Sequence, residues 1–514
     1  MENRYENKNE SYWILSSQGK SYKSLKENTK ANTLVIGAGI TGITTAYLLA
    51  KQGIDVVLVD ADKIAYGSSG RNTGKVTAQH DNMYSKINKK YGMDVARLYY
   101  KANESALNLI EEIIKENKID CHFERLSSYI FTERDDYVKD IQDEYKICSD
   151  IGIDCEYHNK LDIPLDIKAA LSFKNQGQFN PKKYLDGLIK VVERLGVRIY
   201  EDSPIEDLEK GDVCTARTRD GYTIECKKLV IASHLPWYDG LNLYFAKEDQ
   251  ERSYLIGATL NSDLPKGMYI NLERPSLTFR TYEGENQKLL IFGGGDHKVG
   301  QGGKEGEIYE NLKQFAREKF NLSDFKYQWS AQDCMSFDDM PFVGNVNTKQ
   351  ENVYVGTGYS KWGMTNGTMA ASLISNLILK KSSIYEDIFK PTRVGVYMTK
   401  DFVLENLNVA MNYVSGKLSS GKEETTLEKN QGEIVNIDGK RYGAYKDDKG
   451  ELYIVDITCT HLGCELKFNG AEKTWDCPCH GSRFDYKGNI LEGPALKPLN
   501  LYGKGKNDVN PKLI

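Results

Sequence analysis

The sequence predicts a chain in two parts: a large α/β domain, then a small all-β domain. Three observations predict it. From residue 33 the pattern is β-α-β, with a buried strand at 33–36, a helix at 40–51 and a second buried strand at 54–59. Residues 415–431 are polar and poor in apolar side chains, which is linker composition. After them, three short strand patterns are separated by Asp438-Gly439 and by Asp447-Asp448-Lys449-Gly450, both turn signals.

Each further element follows in order. Residues 1–31 are polar with isolated apolar anchors (Tyr12, Trp13, Leu25) and read as an arm on the surface. The helix at 40–51 carries Ile43, Ala46, Tyr47 and Ala50 on one face. A helix at 93–118 carries the stripe Ala96, Tyr99, Ala106, Ile110 and Ile113. Asn180-Pro181 opens a helix at 184–195 that Gly196 stops. Buried strands follow at 229–232 and 353–355, then helices at about 364–380 and 402–414.

Composition narrows the function classes. The chain has 514 residues and 58.2 kDa, enough for two or three domains. Lys+Arg is 68 and Asp+Glu 73, so the net charge is −5 and a strongly basic nucleic-acid surface is excluded as the main theme. A hydrophobic content of 40 % and a mean hydropathy of −0.54 fit a soluble globular protein. No apolar run approaches the ~18 residues of a spanning helix. The polar N-terminus MENRYENKNESYW has no apolar signal region, so a cytoplasmic location is expected.

Gly37-Ala-Gly39-Ile-Thr-Gly42 stands between the first strand and the first helix, and the second strand ends at Asp60, 18 residues beyond Gly42. That order is what dinucleotide binding needs. Gly37 permits the tight turn, Gly39 lets backbone approach a pyrophosphate, and Gly42 allows close helix–strand packing. The helix N-terminus offers N–H groups to the phosphates, and Asp60 would accept from a ribose hydroxyl pair. Two more glycine-rich segments follow. Gly67-Ser-Ser-Gly70-Arg71-Asn72-Thr73-Gly74 supplies backbone and hydroxyl donors and a fixed cation. Gly356-Thr-Gly358-Tyr-Ser-Lys-Trp-Gly363-Met364-Thr365 leads into a helix whose dipole suits the electron-rich end of a reduced flavin.

With these pieces, together with Leu229-Val-Ile-Ala232 and Gln328-Trp-Ser330 followed by Asp339 and Pro341, residues ~11–395 resemble the D-amino-acid oxidase/glycine oxidase superfamily of FAD-dependent oxidoreductases. The resemblance implies an FAD-binding, GR2-like Rossmann domain over 32–395, interleaved with a β-sheet substrate part at about 90–175 and 240–335. It implies FAD contacts from Gly37, Gly39, Ile40, Thr41, Gly42, Asp60, Ala61, Ser68, Arg71, Thr73, Gly74, Ala232, Gly358, Gly363, Met364 and Thr365. Thr73-Gly74-Lys75 departs from the Gly-Gly that many members carry. No second G-x-G-x-x-G follows mid-chain, which argues against an NAD(P)H-fed reductase.

The C-terminal part holds a denser signal. Of 10 Cys and 7 His, four Cys and two His fall between residues 459 and 480, and the other Cys are scattered as expected of reduced thiols. The skeleton is Cys459-x-His461, then 15 residues, then Cys477-x-x-His480. Two thiolates and two imidazoles could hold zinc or a [2Fe–2S] cluster. The flanks, including Gly463, Gly481 and Gly493-Pro494, make residues 432–502 resemble the Rieske iron–sulfur domain. The resemblance implies that Cys459 and Cys477 bind one iron, that His461 and His480 bind the other, and that Cys464 and Cys479 form a disulfide. It implies the electron-transfer type of Rieske domain, over 432–514, after a helix and linker at 396–431. Ser482 matches a hydroxyl donor to a bridging sulfide, whereas Phe484 stands where a Tyr donor is common. Losing that donor should place the potential at an intermediate value within roughly −150 to +300 mV.

A flavin accepts two electrons as a hydride and a Rieske cluster carries one at a time, so the fusion reads as a dehydrogenase. The expected substrate is a small amine or amino acid, and the expected acceptor is an external protein or a quinone-type molecule that docks near His461 and His480. Candidate residues at the flavin ring are Lys361, Trp362, His80 and His297. The competing reading is a redox sensor or electron carrier without a dedicated substrate. Neither a nucleic-acid partner nor a membrane span is expected.

Overall fold

The computed structural model describes residues 9–238, 242–260, 264–284, 287–418 and 427–505. They form two compact units. The first takes the described residues up to Asn242, then Ser253–Asp296 and Asn311–Arg393. The second takes Leu243–Arg252, His297–Glu310 and the described residues from Val394 on.

In the first unit, strand Thr29–Ile36 lies between Val56–Val59 and Thr223–Ile231, parallel to both. Arg198–Tyr200 and Gln350–Thr357 extend the parallel sheet on its two sides, and Phe342–Asn347 closes one edge antiparallel. Val56–Val59 is buried throughout, as a strand covered on both faces must be. Ile36 stands opposite both Val59 and Ile231, so three strands end together where the chain turns into helix Ile40–Ala50. Helices Pro181–Arg194 and Gly363–Ile378 flank it. The first of these starts where Asn180 accepts a hydrogen bond from the Lys183 N–H and Pro181 fills the first turn.

A second, nine-stranded sheet draws its strands from 75–76, 124–178 and 248–336. Lys75–Val76 pairs with Gln178 and Gly177 and so ties the end of the 67–74 loop to this sheet. The arm is more deeply engaged than a surface strip. Ser11 caps a short helix, Tyr12–Leu15, and Trp13 and Leu25 are buried. Residues 1–8 of the arm lie outside the described residues.

The second unit contains two four-stranded antiparallel sheets. One runs Gln431–Ile437, Lys440–Lys446, Leu452–Asp456, Leu501–Gly505; the other Lys467–Asn469, Thr474–Asp476, Arg483–Asp485, Ile490–Glu492. Trp475 and Phe484 are fully buried between them, and a Cβ on Gly443 would lie 2.4 Å from the Trp475 ring. The preceding helix spans Lys400–Leu418, so the segment expected to begin a linker at 415 starts as helix. Residues 419–426, with the Lys422-Glu-Glu run, lie outside the described residues. Two mid-chain segments belong to this unit as well, which chain order alone does not announce. No helix among the described residues is long and apolar enough to cross a membrane.

Candidate cofactor sites

The dinucleotide turn is shaped by what its glycines exclude. Gly37 has φ +103°, and a Cβ there would lie 2.3 Å from the Ala232 carbonyl oxygen. A Cβ on Gly42 would lie 1.8 Å from the Gly37 carbonyl oxygen. Gly39 caps the helix without a side chain of its own, so the first-turn N–H of Thr41 is left for a phosphate while that of Ile40 goes to Ser69. Asp60 closes the turn: its carboxylate accepts from Ala38 N–H (2.6 Å) and, across Ala61, from Asp62 N–H (2.9 Å). Burial raises Asp60 to about 7 against these two donors. A turn that a methyl group would fill, a helix that starts at a glycine and a carboxylate at the strand end together fit the pyrophosphate and ribose of FAD.

The 67–74 loop reaches this turn through Ser69, whose Oγ accepts from Ile40 N–H at 3.0 Å, while the Ser68 hydroxyl donates to the Gln332 carbonyl. Arg71 is committed elsewhere. It pairs with Glu10 at 2.6 Å and donates to the Tyr66 carbonyl, so its charge fastens the arm to the loop. Ser11 donates to the Gly70 carbonyl and Trp13 to the Asn72 carbonyl, each at 2.6 Å. The Thr73 carbonyl accepts from Arg280, and Gly74, at φ +72°, leaves room for that guanidinium.

At the third glycine segment, Gly358 has φ +73°, and Ser360 and Lys361 follow in the same left-handed region, an uncommon pair for residues with side chains. Helix Gly363–Ile378 starts without a side-chain cap, with Met364 and Thr365 buried in its first turn. Thr365 donates to the Thr77 carbonyl at 3.0 Å. Trp362 stacks on His80 at 4.7 Å. His80 is fully buried, with Nδ1 2.7 Å from Tyr99 Oη and Nε2 2.8 Å from the Thr77 carbonyl. Burial lowers it to about 3, so it is a neutral ring engaged at both nitrogens. Lys361 pairs with Asp296 at 3.0 Å. Burial pushes Asp296 up, but the Lys361 and Arg274 charges and the Ser276 hydrogen bonds outweigh it and hold the carboxyl well below its usual range. His297, the fourth candidate, lies in the second unit, with Nδ1 2.8 Å from the Lys298 carbonyl.

Sequence reasoning passed over three residues here. Lys75 follows Thr73-Gly74, where the Gly-Gly pattern breaks; its ammonium donates to Thr278 and to the Tyr269 carbonyl, and burial with the Arg280 charge lowers it to about 7. Asp81, at φ +47°, has a buried Oδ1 without a hydrogen-bond partner, and burial raises its pKa. Asp296 holds Lys361. The last two are direct chain neighbours of singled-out histidines, which was the available signal.

In the second unit the loops Cys459–Cys464 and Cys477–Ser482 repeat one hydrogen-bond pattern. The leading cysteine's N–H donates to the carbonyl five residues on (Cys464, Ser482). The glycine four residues on (Gly463, φ +80°; Gly481, φ +74°) donates back to the cysteine carbonyl. Three sulfurs, of Cys464, Cys477 and Cys479, lie within 4.8 Å of one another. Two of them form the Cys464–Cys479 disulfide, which leaves Cys459 and Cys477 as buried free thiols. A hydrogen bond between these two lowers Cys459 and raises Cys477. The His461 and His480 rings stand 5.1 Å apart at 90°, their Nδ1 atoms are buried, and His480 Nδ1 has no hydrogen-bond partner. Burial, His461 and Lys298 lower His480 to about 3, so it is neutral, as a ligand must be. Two thiols and two inward Nδ1 atoms fit the Cys₂His₂ set of a Rieske cluster. Ser482 Oγ hydrogen-bonds Cys459 and accepts from Ala495 N–H at 3.1 Å.

Comparison with known proteins gives the same division. Residues 32–377 match the model of the DAO family, FAD dependent oxidoreductase, and residues 421–503 that of the Rieske [2Fe-2S] domain. The chain is 40% identical over 492 residues (95% of this chain, 97% of the relative) to the putative Rieske 2Fe-2S iron-sulfur protein YhfW of Bacillus subtilis (strain 168). It is 26% identical over 394 residues (72% of this chain, 88% of the relative) to gamma-glutamylputrescine oxidoreductase of Escherichia coli (strain K12). Among solved structures, glycine oxidase from Geobacillus kaustophilus shares the fold at a TM-score of 0.60 and 16% identity, over 71% of this chain and 99% of that one. The chain therefore belongs to the DAO family of FAD-dependent oxidoreductases and carries a C-terminal Rieske [2Fe–2S] domain.

Proposed function

We propose that this oxidoreductase is a dehydrogenase that oxidises a small amine or amino acid and releases the electrons singly, through the Rieske cluster, to an external acceptor. One observation carries the reading: a cradle for FAD and a full ligand set for a one-electron carrier occur in the same chain. A flavin that reacted directly with O₂ would have no use for the second. When bound, FAD takes a hydride from the carbon beside nitrogen, and the cluster takes and passes single electrons.

The residues of the first unit do the positioning. The Thr41 N–H at the helix N-terminus would hold a pyrophosphate oxygen, with Ile40 N–H fixed by Ser69, and Asp60 would accept from ribose. The N-terminus of helix Gly363–Ile378, which has no side-chain cap, would offer its positive dipole end to a bound flavin. Lys361 and Arg274 are offset by Asp296, and Asp81 adds a second carboxylate with one unpartnered oxygen to that charge cluster. We assign Asp81, with its pKa raised by burial and one oxygen unpartnered, as the group that would take the proton of a substrate ammonium, which must become a neutral amine before its hydride leaves. His80, engaged at both nitrogens, orients Trp362 rather than acting as a base.

The test is anaerobic mixing of the holoprotein with primary, secondary and N-methylated amines and amino acids, reading flavin absorbance and the reduced-cluster EPR signal together. One compound class is expected to bleach the flavin, with the cluster signal rising afterwards. Flavin and cluster that dithionite reduces but no amine touches would overturn the reading and leave a sensor or carrier.

A further inference from the structure

The second unit contains a contact that the cluster ligands do not require. Segment Leu243–Arg252 brings Phe245 onto both ligand imidazoles: its ring centroid lies 4.9 Å from that of His480 and 5.4 Å from that of His461, at 82° to each. With the two imidazoles at 90° to one another, the three rings are mutually perpendicular. His480 is 8% exposed.

The contact is built into the unit rather than casual. Asn406 donates to the Ala246 carbonyl at 3.0 Å, and the buried Lys247 places its ammonium over the Tyr397 ring. Lys298 bridges Asp249 (3.1 Å) and Glu405. Gln301 donates to the Pro478 carbonyl at 3.1 Å, between the ligands Cys477 and His480, and Gly300 fits so closely that a Cβ would lie 2.9 Å from Pro478 N. Both mid-chain segments are therefore fixed against the second cluster loop or the helix beside it.

We propose that the histidine edge of this cluster is occupied by the chain's own residue, with Phe245 as the cap, so that an outside redox partner does not dock on His480. An aromatic ring set edge-on against two imidazoles removes the apolar, solvent-facing contact that a docking partner would otherwise bury. This replaces the expectation of an acceptor face at His480, whereas His461 stays partly exposed beside the exposed Leu462. It depends on the ligand set alone and stands whether or not an amine is the substrate.

The experiment uses the full chain with FAD and cluster loaded. Diethyl pyrocarbonate acylates accessible imidazole nitrogen, and peptide mass spectrometry reads the extent at His480. In wild type, acylation of His480 is expected at least ~10-fold slower than in the guanidine-unfolded chain. Phe245→Ala should bring it within about threefold of the unfolded rate while the reduced-cluster EPR g-values stay unchanged, and Phe245→Leu, which keeps apolar cover, should stay protected. Reoxidation of the dithionite-reduced cluster by a water-soluble benzoquinone should quicken at least ~10-fold in Phe245→Ala. Wild-type His480 acylated at the unfolded rate, or a wild type and a cluster-containing Phe245→Ala that quinone reoxidises equally fast, overturns the proposal. If Phe245→Ala fails to hold the cluster, the wild-type and Phe245→Leu labelling rates decide.

Discussion

The dinucleotide turn at Gly37–Gly42 and the cluster loops at Cys459–Cys464 and Cys477–Ser482 each hold a redox group. The turn does it with backbone: two of its glycines stand where a Cβ would strike a carbonyl oxygen at 2.3 or 1.8 Å, and the ligand-facing groups are N–H. The loops do it with side chains: two free thiols and two imidazoles, held by backbone hydrogen bonds that repeat from one loop to the other. A backbone site fails when something is added to it, and a side-chain site fails when something is removed. Small substitutions should therefore act in opposite senses in the two units.

The largest effect expected is all-or-none loss in the second unit. Cys477→Ala removes one of the four residues that fit the cluster's ligand set and should abolish the Rieske EPR signal and visible absorption, with flavin content within about a fifth of wild type. Parallel loss of flavin would show that the two cradles are coupled in folding. Its mirror image is Gly42→Ala. Overpacking typically costs about 1–3 kcal/mol; here the added methyl meets a carbonyl oxygen at 1.8 Å with no flexible atom to give way. FAD content should fall below about a tenth while the cluster signal persists. A Gly42→Ala protein that keeps its FAD would break the backbone-site account.

A smaller effect is expected at the base of the second cluster loop. Arg483 and Asp476, on the two strands that launch and receive it, form a pair with side chains 3% and 1% exposed. Asn469 and Thr474 satisfy the remaining carboxylate positions. Removing one partner of such a pair costs about 3–5 kcal/mol when the other charge is left uncompensated, and here Arg483 keeps Glu492 at 3.5 Å, which sets the loss at the lower end. Asp476→Ala should thus lower the cluster unit's unfolding transition and leave FAD retention unchanged. A transition within 1–2 °C of wild type would mean that the metal site alone fixes the loop.

The same contrast governs what the sequence reveals. The turn is legible because strand, glycines, helix and Asp60 come in a fixed local order, and the ligand set is legible because residue type and spacing are themselves the chemistry. Helices expected at 40–51, 93–118 and 364–380 are Ile40–Ala50, Met93–Asn117 and Gly363–Ile378. What escapes is support from a distance. Arg71 looks like a cation for the cofactor until Glu10 is seen to claim it, 61 residues away. Ser69, not Ser68, reaches the helix N-terminus, a choice set by loop conformation and not by composition. Phe245 is one aromatic residue among many in the sequence, and its contact with His461 and His480 spans more than 200 positions.

His80 separates a working base from a structural ring by its titration. Its ordinary value of 6.5 falls to about 3 in the fold, because burial disfavours the charged ring. A depressed value means stability that is present above pH 6.5 and lost as pH falls toward 3, at most about 1.4 kcal/mol per pH unit. Asp60 and Glu144, raised to about 7 by burial, act in the opposite sense: their contribution is lost as pH rises from the carboxylate range through 7. His80→Gln should therefore flatten the acid limb of the flavin unit's stability between pH 6.5 and 4 and leave the neutral limb as it was. Denaturant unfolding at half-unit pH steps, followed by flavin fluorescence, measures both limbs in one series. An unchanged acid slope in the variant would mean that His80 is charged in the fold, and would return it to consideration as a proton donor beside Trp362.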